Sequence, residues 1–302
     1  MNKKTLAGLI LLGLLILASL LAPLLAPFEK GYTENLRKEV RDGEDVYFYA
    51  PERPGTRHPL GSDRYGYDML TEMLYGLKWT VGAVYGTALL RSSLAFLAGL
   101  AAIVLPRRES VPKPFSPLSA FPSFIVVYFL IFPVTINSPL NALALAAYQI
   151  AVIAILDLPG IARSFSAKAG AIAAAPFADA ARSSGADRRW IAAWHVAPFL
   201  ADDFLEALPV QAISAASTIA KLGLFSLFIG GTRMAFDPPL LQPSRMELVG
   251  LMGYNNAAIM GTPWLFLGPF AGWFLVFVSA ELLASGLRDR HGPSGPHAVF
   301  GA

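Results

Sequence analysis

The residues best able to do chemistry lie in Ala174–Pro198, AAPFADAARSSGADRRWIAAWHVAP. There Asp179, Arg182, Asp187, Arg188, Arg189 and His195 stand between two apolar runs. Their charges of both signs suit docking, since no nucleophile, base and acid converge on one point as catalysis requires. Pro176 fits the first position of a helix and Gly185 a left-handed stop, so the spacing predicts a short helix of about two to three turns. Asp187 can cap a second helix, in which Trp190, Ile191 and Trp194 fall on one apolar stripe. Two short helices joined at a glycine make a rigid knob that another protein can grip. The same pattern also describes an amphipathic loop resting on lipid headgroups.

Two cations stand inside apolar runs, Arg91 near the middle of one and Lys221 near the middle of another. A charge at the bilayer centre costs about 2.5–3.5 kcal/mol on insertion scales, so neither is expected to face lipid. Either both line a central cavity, where positive potential suits the carboxylate of a peptide, or each pairs with an acid and serves assembly. Asp157 and Glu281 lie near the ends of their runs. Asp202, Asp203 and Glu206 follow Pro198 and read as capping and interfacial charges, favoured near a helix N-terminus. The sequence has no G-x-x-x-x-G-K-[ST] phosphate loop, no G-x-S-x-G elbow and no H-E-x-x-H helix. It has no cysteine, and its four histidines show no ligand-pair spacing. No catalytic residue, resident cofactor or metal is therefore expected. A net charge of +3 with scattered cations argues against nucleic acid.

The elements that must position these residues are apolar helices. Of 302 residues, 55% are hydrophobic and only 15% charged, and mean hydropathy is positive. That composition indicates an integral membrane protein. Apolar runs at Leu6–Ala26, Trp79–Leu105, Leu118–Val134, Leu140–Ile161, Leu205–Gly230 and Pro263–Ala284 predict six spans, the third being the shortest. The first exceeds a typical signal-peptide core and reads as a retained span. Lys3 and Lys4, then Arg107, Arg108 and Lys113, then the 174–198 cluster, then Arg288 and Arg290 fall on one side. Both termini are thus expected in the cytoplasm. In the first external loop, Pro59 and Gly61 predict a turn and Ser62 or Asp63 a cap. Met69, Met73 and Leu74 then predict a helix lying on the outer membrane surface. Glu29–Arg57 is expected to pack on the outer surface or on a partner.

Asp179-Ala180-Ala181, then Gly185, then Pro198, resemble the EAA loop of bacterial ABC-importer permeases, with Asp for the usual Glu and Ala197 for the usual Leu. Arg182 lies within this loop, and His195 matches a His common in the dipeptide/oligopeptide/nickel branch. His58-Pro59-Leu60-Gly61-Ser62-Asp63-Arg64-Tyr65-Gly66-Tyr67-Asp68-Met69-Leu70, with Tyr75-Gly76, resembles the H-x-L-G-T-D-x-x-G-R-D-x-L…Y-G segment of C-type permeases. This loop either caps the spans or helps to seat a substrate-binding protein. Phe121-Pro122-Ser123, Leu158-Pro159-Gly160-Ile161-Ala162-Arg163 and Gly286-Leu287-Arg288-Asp289 resemble three further family elements. Ser164–Ala175 carries less charge than relatives do, and Lys221 stands where many have Glu.

The chain is identified as similar to C-type permease subunits of the dipeptide/oligopeptide/nickel ABC transporter family. The resemblance implies an all-α integral membrane protein with six transmembrane helices, an ABC importer type I permease fold and cytoplasmic N- and C-termini. It divides the chain into 1–78 (first transmembrane helix, extracytoplasmic loop and interfacial helix) and 79–302 (five-helix core with the coupling loop at 174–198). Asp179, Ala180, Ala181, Arg182, Gly185, His195 and Pro198 would couple to the ATPase, and Arg91 and Lys221 are candidates for the translocation path. The implied partners are a second permease, two ABC ATPase subunits that bind ATP and Mg, an extracytoplasmic substrate-binding protein and the lipid bilayer. The implied location is a bacterial or archaeal plasma (inner) membrane. The alternatives are a secondary transporter, a receptor-like membrane protein without ATPase coupling, and a membrane-bound enzyme.

Overall fold

The computed structural model describes residues 2–41, 44–105, 122–236 and 239–291. Arg107, Arg108, Lys113 and the start of the third apolar run at Leu118–Phe121 lie outside them. Apolar sequence without breakers builds the long helices. The first, α1 (Lys3–Leu20), is followed by the single turn α2 (Ala22–Leu25). Leu6, Leu9, Leu14 and Leu17 of α1 are exposed, as side chains meant for lipid or another subunit must be. Its other side packs on the last helix. Small residues permit that close approach: a Cβ at Gly8 would stand 2.9 Å from the Leu283 backbone nitrogen, and one at Gly286 would collide with Thr5. Lys4 and Asp289 join the two helix ends at 2.9 Å.

The stretch after α2 forms a hairpin, β1 (Leu36–Arg41) paired antiparallel with β2 (Glu44–Tyr49). The next helix, α3 (Met69–Val104), is 36 residues long. No proline interrupts it, so the expected surface helix at Met69–Leu74 and the expected span from Trp79 are one continuous rod, which crosses the 78/79 boundary. Its cap also differs from expectation. Asp68 accepts the Thr71 N–H at 2.8 Å, whereas Asp63 Oδ1 accepts the N–H groups of Tyr65 and Tyr67, each at 2.9 Å, and shapes the preceding turn.

The short apolar α4 (Ser123–Thr135) precedes α5 (Ala142–Leu156) and α6 (Leu158–Ala173), which meet at 55°. Pro159 accounts for the bend, because it lacks the N–H that would bond Ile155 and its ring opposes that carbonyl. After α7 (Pro176–Ser183) and α8 (Arg188–Ile191), a π-helical turn, Ala192–Val196, leads into α9 (Ala197–Leu224). That helix starts earlier and ends earlier than the expected span Leu205–Gly230. A second hairpin pairs β3 (Thr232–Phe236) with β4 (Pro239–Pro243), and α10 (Leu248–Tyr254) and α11 (Trp264–His291) follow. The molecule is thus mostly helical, with two small hairpins that hydrophobic periodicity did not signal. Four described helices are long and apolar enough to cross a membrane, and the bent α5–α6 pair makes a fifth candidate.

Burial divides into two main clusters. The larger gathers Val84, Ile131, Ile153, Ile219, Leu222 and Val276 from α3, α4, α5, α9 and α11. The second gathers Ala95, Phe165, Ala178, Ile191 and Leu200 from α3, α6, α7, α8 and α9. Gly76, near the start of α3, abuts Met246 just before α10, whereas Ala95, nearer its end, packs with Ala178 and Ile191, so α10 and the α7–α8 module lie toward opposite ends of α3.

The short α10 is wedged between long helices. A Cβ at Gly253 would lie 2.5 Å from the Gly223 carbonyl, and one at Gly76 would overlap the Met246 carbonyl. Glu247, fully buried at its N-cap, accepts the Val249 N–H at 2.8 Å, yet its Oε1 has no partner. Burial pushes this carboxyl from 4.5 up to about 7. Charging it therefore opposes folding: the penalty is absent below about pH 4.5, grows to about pH 7 and is complete above, reaching about 3 kcal/mol at 1.36 kcal/mol per unit. Glu247→Gln is expected to raise the unfolding temperature by several degrees at pH 8 and to change it little at pH 4.5. Thermal scans of the detergent-solubilised protein at both values check this.

Candidate functional site

The module at 174–198 is built by local chemistry. Pro176 occupies the first turn of α7, where its missing N–H costs nothing. Gly185, at φ +90°, ends the helix: its N–H bonds the Arg182 carbonyl at 2.9 Å and the Ala186 N–H bonds that of Ala181 at 3.0 Å. This pair of bonds is the Schellman arrangement, satisfying two otherwise orphaned carbonyls. Asp187 then caps α8 by accepting the Trp190 N–H at 2.8 Å. The sequence expectation of helix, left-handed glycine, cap and helix is what the structure contains.

Two anchors hold this module against the long helices. Ala178 and Ile191, 0% and 1% exposed, insert into the cluster shared with Phe165 of α6, Ala95 of α3 and Leu200 of α9. Arg182 pairs with Asp179 one turn earlier and also donates to the Ala173 carbonyl at the end of α6. Since Asp179 and Arg182 are exposed, the ion pair contributes under about 1 kcal/mol, and its effect is to orient α7 against α6. Ala180 and Gly185 are exposed beside them, Ala181 is half-buried, and Pro198 is exposed in the first turn of α9.

The expected Trp190–Ile191–Trp194 stripe does not form as one face. Ile191 is buried, whereas Trp190 and Trp194 are 46% and 69% exposed. Trp190 and Ile191 point about 100° apart on α8, so the helix buries one and exposes the other; the π-helical turn that follows aligns i with i+5 in place of i+4. It brings His195 onto Trp190, ring centroids 5.0 Å apart, with Phe177 5.6 Å from His195 and Phe199 stacked on Phe177 at 5.8 Å. The half-buried His195 is thus a ring within an aromatic cluster. Phe177, Trp190 and Phe199 are exposed around His195, and Trp194 is exposed on the same module, so it presents apolar rings to a partner beside the exposed Asp179, Arg182, Arg188 and Arg189.

Arg91 and Lys221 part company. Arg91 is fully buried where α3, α5 and α9 meet. Its guanidinium donates to Gln211 Oε1 at 2.9 Å, Ser214 Oγ at 3.1 Å, the Ile153 carbonyl at 3.0 Å and Asp157 Oδ2 at 2.8 Å. Of the two sequence readings, this is pairing with an acid. The acid sits at the α5–α6 bend, and the accepting carbonyl belongs to the last turn before it. Hydropathy could not reveal Gln211 and Ser214 as partners, although Asp157 was visible as a lone acid at the end of a span.

Lys221 occupies the last turn of α9 rather than its middle, because the helix stops at Leu224. A cation is favoured there by the carbonyl end of the helix. Its side chain is exposed, with Nζ 5.7 Å from the Phe124 ring centroid of α4. The acids beyond Pro198 also differ from simple capping, since Asp203 is buried and pairs with Lys168 across α6 and α9.

No family model matches this chain. Over 296 residues it is 26% identical to the oligopeptide transport system permease protein OppC of Mycobacterium tuberculosis strain H37Rv, covering 97% of this chain and 91% of that protein. It is equally similar to OppC of Mycobacterium bovis. With the dipeptide transport system permease protein DppC of Alkalihalophilus pseudofirmus it shares 26% identity over 296 residues, covering 97% of this chain and 86% of that protein.

Proposed function

We propose that this homologue of peptide-transport permeases is the C-type permease subunit of an ATP-driven importer of di- or oligopeptides or related small solutes. The observation that carries the reading is similarity to OppC and DppC proteins along 97% of the chain. The chain is a multi-pass membrane protein, and its role is transport rather than catalysis. We assign six crossings to α1, α3, α4, the α5–α6 pair, α9 and α11. Both termini and the 174–198 module then lie on the cytoplasmic face of a bacterial or archaeal plasma membrane.

On this reading α7 and α8 form the coupling knob. The exposed aromatic surface around Phe177, Trp190 and Trp194 enters a cleft of an ATPase subunit, and Asp179 and Arg182 fix the approach. Two such ATPases supply the bound ATP and Mg2+, a second permease completes the path, and an extracytoplasmic binding protein delivers the cargo. A force on α7 passes through Ala178 and Ile191 into α3, α6 and α9 together, because the three helices share one close-packed cluster. Arg91 acts as an internal lock at the bend. Lys221, exposed beside Phe124, is the better candidate for facing the path or the second permease.

The test is co-purification from detergent-solubilised membranes. ATPase subunits are expected to accompany the tagged wild-type chain and to be retained at least about 10-fold less by Asp179→Lys, a loss of about 1.4 kcal/mol or more. A wild-type chain that brings down no ATPase would refute the coupling role and favour a self-sufficient transporter.

A further inference from the structure

The loop between α2 and α3 holds a cluster that neither the helix caps nor the coupling module uses. One ligand atom each from Glu34, Glu52 and His58 lie within 4.8 Å of one another. His58 is 1% exposed. Its Nδ1 is 3.0 Å from Asp68 Oδ1, and the other Asp68 oxygen already accepts from the Thr71 N–H and Oγ at 2.8 and 2.7 Å. An ionised Asp68 only accepts, so Nδ1 is the nitrogen that donates to it, and Nε2 is the one left facing Glu34. That Nε2 is buried without a hydrogen-bond partner and stands 3.6 Å from Glu34 Oε2. Tetrahedral bonds of about 2.1 Å place ligand atoms about 3.4 Å apart, so this separation already suits a shared cation.

The carboxylates point the same way. Arg37 holds Glu52 Oε2 at 2.8 Å, while Glu52 Oε1 is buried with no partner. Arg57 donates to both Glu34 oxygens at 3.3 Å, Arg37 Nε lies 3.8 Å from Glu34 Oε2, and Arg37 also pairs with Glu39. Three carboxylates, Glu34, Glu52 and Asp68, thus lie around His58 beside two guanidiniums. The Phe28 ring, centroid 5.1 Å from that of His58, shields the imidazole from water.

We propose that His58, Glu34 and Glu52 bind a zinc-type divalent cation, with Asp68 orienting the imidazole. Nitrogen plus carboxylate oxygen donors suit such a cation, and an orienting carboxylate behind a metal-bound histidine is its usual companion. Three protein ligands leave a fourth position for water. The cation would fasten the segments before and after the β1–β2 hairpin to the N-cap of α3. Spacing concealed the site, because its ligands are 18 and 6 residues apart in sequence and meet only through the hairpin.

The experiment uses the full chain with whatever subunits it retains, stripped with chelator and equilibrated with buffered Zn2+. About one zinc per chain is expected in the wild type by elemental analysis. Glu52→Gln, which preserves shape, should bind zinc at least about 10-fold more weakly. Asp68→Asn keeps a competent cap yet should weaken zinc about 10–100-fold. Cobalt in place of zinc should give visible absorption bands in the wild type that His58→Ala abolishes. A wild type that retains no zinc, or variants that retain as much as it does (an adventitious metal only), would overturn the proposal.

Discussion

Arg91→Ala destabilises the helix bundle by about 3–5 kcal/mol, the usual cost of removing one partner from a buried ion pair. Four acceptors lose their donor together: Gln211, Ser214, the Ile153 carbonyl and Asp157. The Asp157 charge is then held at the α5–α6 bend, largely out of water. Arg91→Lys should recover only part of the loss, because a single ammonium cannot span the positions that the planar fork reaches. Arg91→Leu combined with Asp157→Leu should be less damaging than Arg91→Ala, since neither charge is left stranded. Unfolding curves of the three detergent-solubilised variants beside the wild type measure this order. An alanine variant as stable as the wild type would show that the network contributes nothing.

On the proposed coupling role, Gly185→Val is expected to uncouple transport from ATP hydrolysis while leaving the chain in the membrane. A valine at φ +90° is strained by about 1–3 kcal/mol. A Cβ there meets no neighbour within 4 Å, so the backbone alone is responsible. Releasing that strain unwinds the turn and breaks the two carbonyl bonds that fix α7 against α8. At about 2 kcal/mol the ratio of set to unset knobs falls by about 30-fold, and uptake should fall as the unset form becomes populated. Gly185→Asn tolerates the left-handed region far better and should keep most activity. Uptake and ATP hydrolysis in reconstituted vesicles separate the outcomes, and normal uptake by the valine variant would contradict the account.

Features resting on local chemistry were legible in the sequence. Pro176, Gly185 and Asp187 announced the knob because each acts on the backbone next to it. Apolar runs located the long helices because the bilayer demands length and hydrophobicity. Features resting on distant contacts were hidden. Nothing near Arg91 in sequence names Gln211, which is 120 residues away. Which side of α8 faces the long helices has no composition signature, so sequence alone does not set the buried Ile191 apart from the exposed Trp190 and Trp194. The apolar run continues past Leu224, where the helix stops, so sequence alone sets Lys221 mid-span. The continuity of α3 was missed because its polar beginning resembles a surface segment, although the absence of proline from Met69 to Val104 was there to see.

That continuity constrains how the molecule can move. A 36-residue helix is about 54 Å long, so one rod touches both the loop held by Asp68 and the cluster beneath α7 and α8. A beam of this kind transmits displacement by pivoting. Tilting it by about 10° around its midpoint carries its two ends about 5 Å in opposite directions, by simple trigonometry on that length. Shutting one mouth and opening the other would then be a single lever stroke, with no signal needing to travel through intervening side chains.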